Sequence, residues 1–437
     1  MRRRPDRSPT SALPIAYFAL AHAGLLVAFA ALAIRPDLPG GSFYHPRMIA
    51  LVHLITVAWI SGSILGALHI VAPLALGLPL PVGRADWVAF GSFAIGVAGM
   101  IAHFWLGTYE GMAWSAGTVT ATILWIGVRV VRGLPRADVP WPVALHVGFA
   151  FVNILAAAVV GVLIGLNQSR GFLASPMALM FAHVHLAAVG WATMMVVGLG
   201  YRLIPMFLPA AMPAGPRLAV SALLLEAGLT VVAWALVTGA SWLPAGAVLI
   251  AGGFASFVTV IRRTLAHRLP RPPALPRRDW SVWQSHAAMI WLLTALVLGM
   301  ALAFGVPGEW FLPVVWVYGV AGLVGFLTQM VVGMQGRLVP LYAWYRSRAA
   351  RGGAQPDWAA NALPSAGPAR VIFLLWAAGV PLLAWGLATN EPRAIALAAS
   401  LLLGGVGVNA AYLLFMLRRA GQRRDRELMI VDRVMDD

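Results

Sequence analysis

The chain has 437 residues, of which 60% are hydrophobic and 11% are charged, and it contains no cysteine. A soluble domain cannot hide that much apolar surface, and apolar stretches of about 20 residues are typical of helices that span a lipid bilayer. The absence of cysteine excludes disulfides, thiolate iron–sulfur clusters, thioether-linked haem and cysteine-ligated copper within this chain. Composition therefore predicts an integral membrane protein without cysteine chemistry.

The formal net charge of +16 is high enough to suggest a nucleic-acid partner, but the distribution of the arginines argues against one. With twelve spans, the basic segments all fall on one side of the membrane, which is the positive-inside asymmetry. We therefore expect a bacterial-type inner (cytoplasmic) membrane protein with both termini in the cytoplasm and no nucleic-acid partner. The basic segments are the N-terminal MRRRPDR, residues 129–136, 262–278 and 346–351, and the tail from Arg418.

Apolar runs predict an all-α polytopic fold of about twelve transmembrane helices, which form a single membrane domain over residues 1–437. Two longer connections rich in Arg, Pro, Ala and Gly, residues 263–280 and 341–369, are predicted to be cytoplasmic loops, and 419–437 is predicted to be a cytoplasmic tail. The predicted spans are 14–34, 47–73, 86–107, 114–132, 142–166, 177–206, 217–238, 241–262, 281–305, 310–340, 370–387 and 392–417.

Three of the predicted spans are related in sequence. The pattern His-Leu-x-x-Val-x-Trp begins at His53 in the second span and again at His185 in the sixth. The sixth span continues with Met-Val-Val-Gly from Met195, and the tenth span repeats those letters from Met330. The period is therefore four helices, which predicts three pseudo-repeated arcs at approximately 14–132, 142–262 and 281–417.

Histidine inside a membrane is costly and usually functional, and imidazole is a common ligand of haem and metals. In the predicted topology His53, His183 and His185 lie in the outer half of the bilayer, and His103 lies near the outer end of the third span. Residues two apart on a helix point about 200° from each other, so His183 and His185 are expected to face different spaces. Repeat equivalence pairs His53 with His185 around a low-spin haem b. His183 would then face a second haem or copper site with His103 as its partner, a pairing that the repeat does not itself support.

Further residues extend this predicted outer site. Arg47 and Arg170 lie at the level where haem propionates would need cationic partners, and the alternative is that both snorkel to lipid headgroups. Trp59 and Trp191 follow the repeated histidines by six residues. Each could form a wall of a haem pocket, and packing in the helix core is the alternative.

Three further residues are candidates for catalysis. Glu226 is the only carboxylate well within an apolar span, where it is either a proton relay or a neutral side chain hydrogen-bonded to a neighbouring helix. Tyr109 and Glu110 form a predicted lid over the outer site, for which a solvated loop is the alternative. The first helix of each arc also carries a histidine whose role is left open between packing and a cofactor or quinone site: His22, His146 and His286.

Three arcs of four helices are the plan of subunit I of the haem–copper oxidases and the related nitric oxide reductases, and the chain resembles that superfamily in span number and repeat period. It is also similar in His183-Val184-His185 and in the turn 107–114 (GTYEGMAW). The resemblance implies one or two non-covalent b haems, with copper as a further cofactor. It also implies electron transfer from a donor subunit or quinol, and binding or reduction of a diatomic gas, nitric oxide or oxygen.

The chain also departs from this family. Its oxygen-reducing members carry the His-x-His pair on the tenth span and a histidine pair on the seventh. Here the tenth span has Tyr318 and Val320 at the equivalent places, and the seventh span has no histidine. A normal binuclear haem–copper centre therefore cannot be assigned, and the nitric-oxide-response haem–copper membrane proteins are a related alternative. Rivals from other classes are a transporter or channel for haem, a metal ion or a small solute, and a structural subunit without cofactor.

Overall fold

The structure is a computed structural model. It describes residues 9–40, 43–270, 278–356, 358–360 and 365–435, with side chains up to Arg418. The chain is an all-α polytopic membrane protein, as the apolar pattern predicted. The helices long and apolar enough to cross a membrane are α1 (Leu13–Ile34), α2 (Pro46–Ala75), α3 (Arg84–Leu106), α4 (Met112–Arg136), α5 (Trp141–Arg170), α6 (Pro176–Phe207), α7 (Leu218–Thr238), α8 (Leu243–Ala266), α9 (Trp280–Phe304), α10 (Gly308–Ala350), α11 (Gly367–Ala388) and α12 (Pro392–Arg418).

Each predicted span coincides with one of these helices, and the differences lie at the helix ends. Helix α10 continues to Ala350, so the first part of the predicted loop 341–369 is helical. The helix that contains α12 continues to Met435, so the predicted tail is helical as far as it is described. Hydropathy indicates where the bilayer ends. A helix forms its own backbone hydrogen bonds, so it can continue beyond the bilayer. Residues 271–277, 357 and 361–364 of the two predicted loops lie outside the described residues.

Contacts between connections define the two ends of the bundle. At the end that holds residues 9–12, which we call the terminal face, the amide of Asp138 donates to the carbonyl of Leu76 at 3.1 Å. At the other end, the distal face, Gln168 Nε2 donates to the hydroxyl of Tyr44 at 2.8 Å. The terminal face holds the connections 76–83, 137–140 and 208–217, and the distal face holds residues 43–45, 107–111 and 171–175.

The three related helices share an irregularity near their middle. Helices α2, α6 and α10 each change to a π-helix over Leu54–Ser61, Leu186–Thr193 and Val320–Thr328, and the first two of these segments begin directly after His53 and His185. All three π segments contact one another, so they meet at the centre of the bundle. Because π turns within α-helices are rare and are frequent at functional sites, their recurrence in every fourth helix supports the predicted repeat.

A hydroxyl side chain ends each π segment. The hydroxyls of Ser61, Thr193 and Thr328 donate to the carbonyl five residues earlier in the chain, at 3.0, 2.7 and 2.7 Å. Each hydroxyl therefore bonds to a π-helical carbonyl at the point where ordinary α-helix resumes. An aromatic residue stands two positions before each hydroxyl residue, as Trp, Trp and Phe, so the motif was visible in the sequence.

The two halves of the central helices differ in packing. On the terminal side of the π segments, Gly62–Ala75 of α2 and Met194–Phe207 of α6 are mostly buried. On the distal side, Gly308–Gly319 of α10 has no buried residue, and Pro176–His185 of α6 has one, Ala182. The distal parts of α6 and α10 are therefore less buried than the terminal parts of α2 and α6.

Candidate functional site

The candidate site lies in the distal half, where histidines of α2 and α6 face each other. The ring centroids of His53 and His183 are 6.3 Å apart, and the two ring planes differ by 21°. The Nδ1 atom of His53 bonds to the carbonyl of Ile49 at 2.9 Å, and that of His183 bonds to the carbonyl of Ala157 at 2.8 Å. A ring nitrogen bonded to a carbonyl carries the proton, so each Nε2 keeps its lone pair. Nε2 of each imidazole is therefore available to bind a metal ion.

Neighbouring residues fix the positions of these two rings. Gly161 of α5 lies against His183, because a Cβ atom at Gly161 would stand 2.9 Å from the ring atom Cε1. Phe104 of α3 packs on His53, with ring centroids 4.9 Å apart. Tyr109 meets Phe104 edge to face at 6.3 Å. A chain of aromatic contacts thus leads from the 107–111 connection to the histidine pair.

The second histidine of the His-x-His pair faces a different helix. His185 bonds through Nδ1 to the carbonyl of Phe181 at 2.8 Å and through Nε2 to the hydroxyl of Tyr318 at 3.1 Å. The rings of His185 and Tyr318 have centroids 6.2 Å apart and planes 26° apart. The prediction that His183 and His185 face different spaces is therefore confirmed. Because the phenol occupies Nε2 of His185, this ring is less available as a ligand than His53 or His183.

The structure does not bring His53 together with His185, the pair predicted to hold a low-spin haem. The ring of His53 lies beside His183, and the ring of His185 lies beside Tyr318. Residues at equivalent positions of a repeat are related by a rotation about the bundle axis, so their side chains are turned in the same direction around that axis. Each side chain therefore faces a non-equivalent position of the next arc. Repeat equivalence alone does not show which two residues pair.

The structure does not bring His183 together with His103 either. His103 bonds through Nδ1 to the carbonyl of Thr108 at 2.7 Å. Its Nε2 would stand 2.4 Å from a Cβ atom at Gly111, so the ring packs on the turn between α3 and α4. His103 sits in the last turn of α3, where a ring can reach back to the following backbone, and it serves there as a local turn contact.

The predicted partners of haem propionates lie on the distal surface. Arg47 is exposed, and its guanidinium lies 5.7 Å from the ring centroid of Trp105. Arg170 is exposed in the last turn of α5. Glu110 is exposed in the connection beside Tyr109, which is partly buried. Burial and the nearby Tyr44 raise the pKa of the Tyr109 phenol, so it stays neutral.

The two predicted pocket tryptophans pack in the core. Trp59 is fully buried, and its ring meets His22 edge to face at 5.0 Å. Trp191 is also buried, donates its Nε1 hydrogen to the hydroxyl of Ser61 at 3.1 Å, and lies against the ring of Phe151. Both tryptophans stand near the terminal ends of their π segments. Their contacts therefore support core packing, the alternative reading for these residues.

Glu226 of α7 is held by a buried amide. Asn153 of α5 donates from Nδ2 to Glu226 Oε2 at 2.7 Å, and the same nitrogen lies 3.4 Å from the carbonyl of Gly190 in the π segment of α6. Asn153 is 4% exposed, so the amide joins three helices inside the bundle. Asn153 was not singled out from the sequence, although an asparagine within an apolar span is a signal of this kind. The relay role of Glu226 stays a prediction.

The histidines of the first helices have polar partners in the terminal half. His22 Nε2 bonds to Asn409 Nδ2 at 3.0 Å, and His146 Nε2 bonds to the hydroxyl of Ser221 at 3.0 Å. Both rings are buried. These contacts support interhelical hydrogen bonding as their role. His286 is exposed and lines a cavity that is described below.

Comparison with protein-family models finds no match, and comparison with curated proteins finds none either. Across the residues that the structure describes, no three His, Asp or Glu side chains come together as a metal cage. Function therefore has to be argued from the facing pair of histidines and the space around it.

Proposed function

We propose that the protein is a haem b-binding integral membrane protein in which His53 and His183 are the two axial ligands of one haem. The facing pair is the observation that carries this proposal, with ring centroids 6.3 Å apart and nearly parallel planes. The two imidazoles would hold the haem iron through their Nε2 atoms. Each ring also keeps Nε2 free, as an axial ligand requires.

The packing of the distal half fits a large flat cofactor. The distal part of α10, Gly308–Gly319, has no buried residue although it continues a central helix of the bundle. Phe104 and Gly161 lie against the two histidine rings, and apolar neighbours of this kind are typical of a haem pocket in a helix bundle. Arg47 and Arg170 are exposed on the distal surface, where a guanidinium could bond a carboxylate that reaches the interface.

A haem held by two histidines supplies one-electron transfer. The residues of the chain hold and shield it. The carbonyls of Ile49 and Ala157 fix the tautomer and orientation of the two imidazoles, which is the usual role of such outer contacts. Phe104 covers His53 on the side of the distal connection and limits access of water. His53 and His183 would both hold the iron, so gas binding would need another site.

The proposal extends to the activity, the superfamily and the membrane of the protein. We propose electron transfer as the activity, within a divergent member of the haem–copper oxidase superfamily, and the electron donor as quinol or a partner subunit. Nitric oxide or oxygen chemistry would have to use the space at His185 and Tyr318. There the phenol already bonds Nε2 of the histidine, so a second haem or copper would have to displace Tyr318 from that nitrogen. We place the protein in an inner membrane with its terminal face in the cytoplasm.

Visible spectra of the purified chain test the haem proposal. We expect a sharp reduced α-band after dithionite, and a pyridine haemochrome assay that gives about one haem per chain. The band should be lost in His53→Ala and in His183→Ala. His69→Ala is the matched control, because His69 is a buried histidine of the same helix α2 on the terminal side of its π segment.

Two results would contradict the proposal. A colourless, well-folded protein from haem-replete cells would leave transport or a cofactor-free structural role as the working hypothesis. A band that survives both His53→Ala and His183→Ala would show that the haem has other ligands. Metal analysis of the same samples distinguishes iron from copper or zinc held by the bare histidine pair.

A further inference from the structure

A second space lies in the other half of the bundle. A cavity of about 960 Å³ occupies the terminal half, between helices α2, α6, α8, α9 and α10. Its walls are almost entirely apolar, and they include Ile64, Leu199, Phe254 and Met330. Specific small-molecule pockets have volumes of about 300–1,000 Å³. The cavity is thus large enough for a ligand of considerable size, and it is separate from the histidine pair.

The cavity opens sideways between α8 and α9. Val258 of α8 and Ile290, Leu293 and Val297 of α9 line the cavity, and they are 37%, 66%, 62% and 60% exposed. Helix α9 is also the least buried of the membrane helices, with 17% of its apolar window inside the protein. In a bilayer this opening faces the acyl chains, so a lipid could enter without leaving the membrane.

The polar groups on the cavity wall belong to two arginines, a histidine, three serines and a glutamine. Arg262, in the last turns of α8 before the terminal face, lines the cavity and is exposed. Within the described residues no acceptor bonds its guanidinium. His286 lines the cavity as well, and its Nδ1 bonds to the carbonyl of Val282 at 2.8 Å, which leaves Nε2 for another partner. A ligand here would meet an apolar wall and a positive edge.

We propose that this cavity binds an anionic phospholipid, with an acyl chain in the apolar space and the phosphate on Arg262. The guanidinium fork matches a phosphate, and basic pockets between transmembrane helices on the cytoplasmic side are typical sites for anionic headgroups. A zwitterionic lipid offers the same chains and phosphate, but its own cation offsets the attraction. The site is therefore expected to select lipids by the net charge of the headgroup.

Lipid titration of the full chain tests this site. The protein, delipidated in mild detergent, is titrated with phosphatidylglycerol or with phosphatidylcholine of the same acyl chains, and bound lipid is counted by native mass spectrometry. Arg262→Gln should weaken phosphatidylglycerol binding by about fivefold, as expected for one arginine at a membrane surface, and should leave phosphatidylcholine binding unchanged. Arg263→Gln is the control, because Arg263 is the next residue and does not line the cavity. Ala251→Phe places a large side chain on the cavity wall and should weaken binding of both lipids.

Three results would overturn the proposal. The first is equal binding of the two lipids, and the second is equal phosphatidylglycerol binding by Arg262→Gln and Arg263→Gln. The third is recovery of an isoprenoid quinone at one per chain in place of phospholipid. None of these readouts depends on haem, so the lipid site can fail or hold whatever the spectra of the histidine variants show.

Discussion

Trp191 donates its indole N–H to the hydroxyl of Ser61 at 3.1 Å, which joins helices α6 and α2 where their π segments end. Ser61 in turn donates to the carbonyl of Thr56 at 3.0 Å. Both residues are buried. The same two helices carry His183 and His53 in their distal halves, so this contact is one of those that set how far apart the two histidine rings stand.

Ser61→Ala should destabilise the protein. It leaves the buried indole N–H of Trp191 without its acceptor, which is expected to lower the free energy of unfolding by about 1–3 kcal/mol. Thr259→Val is the control, because Thr259 is exposed on α8 and its hydroxyl bonds only to Ala255 of its own helix. That change should stay within about 0.5 kcal/mol. Thermal unfolding in detergent, followed by circular dichroism, measures both, and equal effects would speak against the inter-helix role.

Gly161→Ala should lower the haem content. The added Cβ atom would stand 2.9 Å from Cε1 and 3.2 Å from Nδ1 of His183, so the ring must move and its bond to Ala157 is strained. Gly148→Ala on the same helix α5 meets nothing within 4 Å and serves as the control. Haemochrome counts per folded chain compare the two variants. Full haem occupancy and an unshifted α-band in Gly161→Ala would show that His183 is not a ligand.

His185→Ala should keep the α-band that His183→Ala loses. His185 points to Tyr318 rather than to His53, so its removal leaves both proposed ligands in place. Pairing by repeat equivalence predicts the opposite result for His185. Spectra of the two single variants, prepared side by side, decide between the two pairings.

Glu226→Leu should destabilise the chain more than Glu226→Gln. Asn153 donates to the carboxylate at 2.7 Å, and a glutamine carbonyl can accept the same bond, whereas leucine cannot. We expect a loss of about 1–3 kcal/mol for the leucine variant, because a buried amide N–H loses its acceptor. Thermal unfolding provides the comparison. If both variants are as stable as the wild type, the bond from Asn153 carries little stability.

The orientation of the chain can be tested cleanly because it has no cysteine of its own. Glu110 is exposed on the distal face and Ala354 is exposed on the terminal face. With the terminal face in the cytoplasm, an impermeant maleimide should label a Glu110→Cys variant in intact cells. It should label an Ala354→Cys variant only after permeabilisation. The reverse pattern would invert the proposed topology.

The membrane spans could be predicted from the sequence because the bilayer imposes apolar character on each residue of a span, and this is visible without knowing any contact. The ends of α10 and α12 could not, since a helix continues outside the bilayer at no cost in backbone hydrogen bonds. The π segments were missed because they are a property of the backbone. Their ending in a hydroxyl residue, as at Ser61, Thr193 and Thr328, was nevertheless visible in the repeats.

The partner of His53 could not be predicted from the sequence for a different reason. His183 and His185 both lie on α6, and their spacing shows only that one of them faces away from α2. Which one faces α2 depends on how α6 is rotated about its own axis, and hydropathy carries little information on that rotation when the helix is apolar on every side. The partner of His185, Tyr318, was hidden for the same reason.

The π segment of α2 also determines how the preceding half of the helix is rotated about the helix axis. A residue advances an α-helix by about 100°, so deleting one residue within Leu54–Ser61 would turn His53 through roughly that angle relative to Gly62–Ala75. Such a deletion would scarcely alter the hydropathy or the length of the span. The imidazole would nevertheless be directed away from His183, so the direction of this proposed ligand depends on the number of residues in the segment as much as on their chemistry.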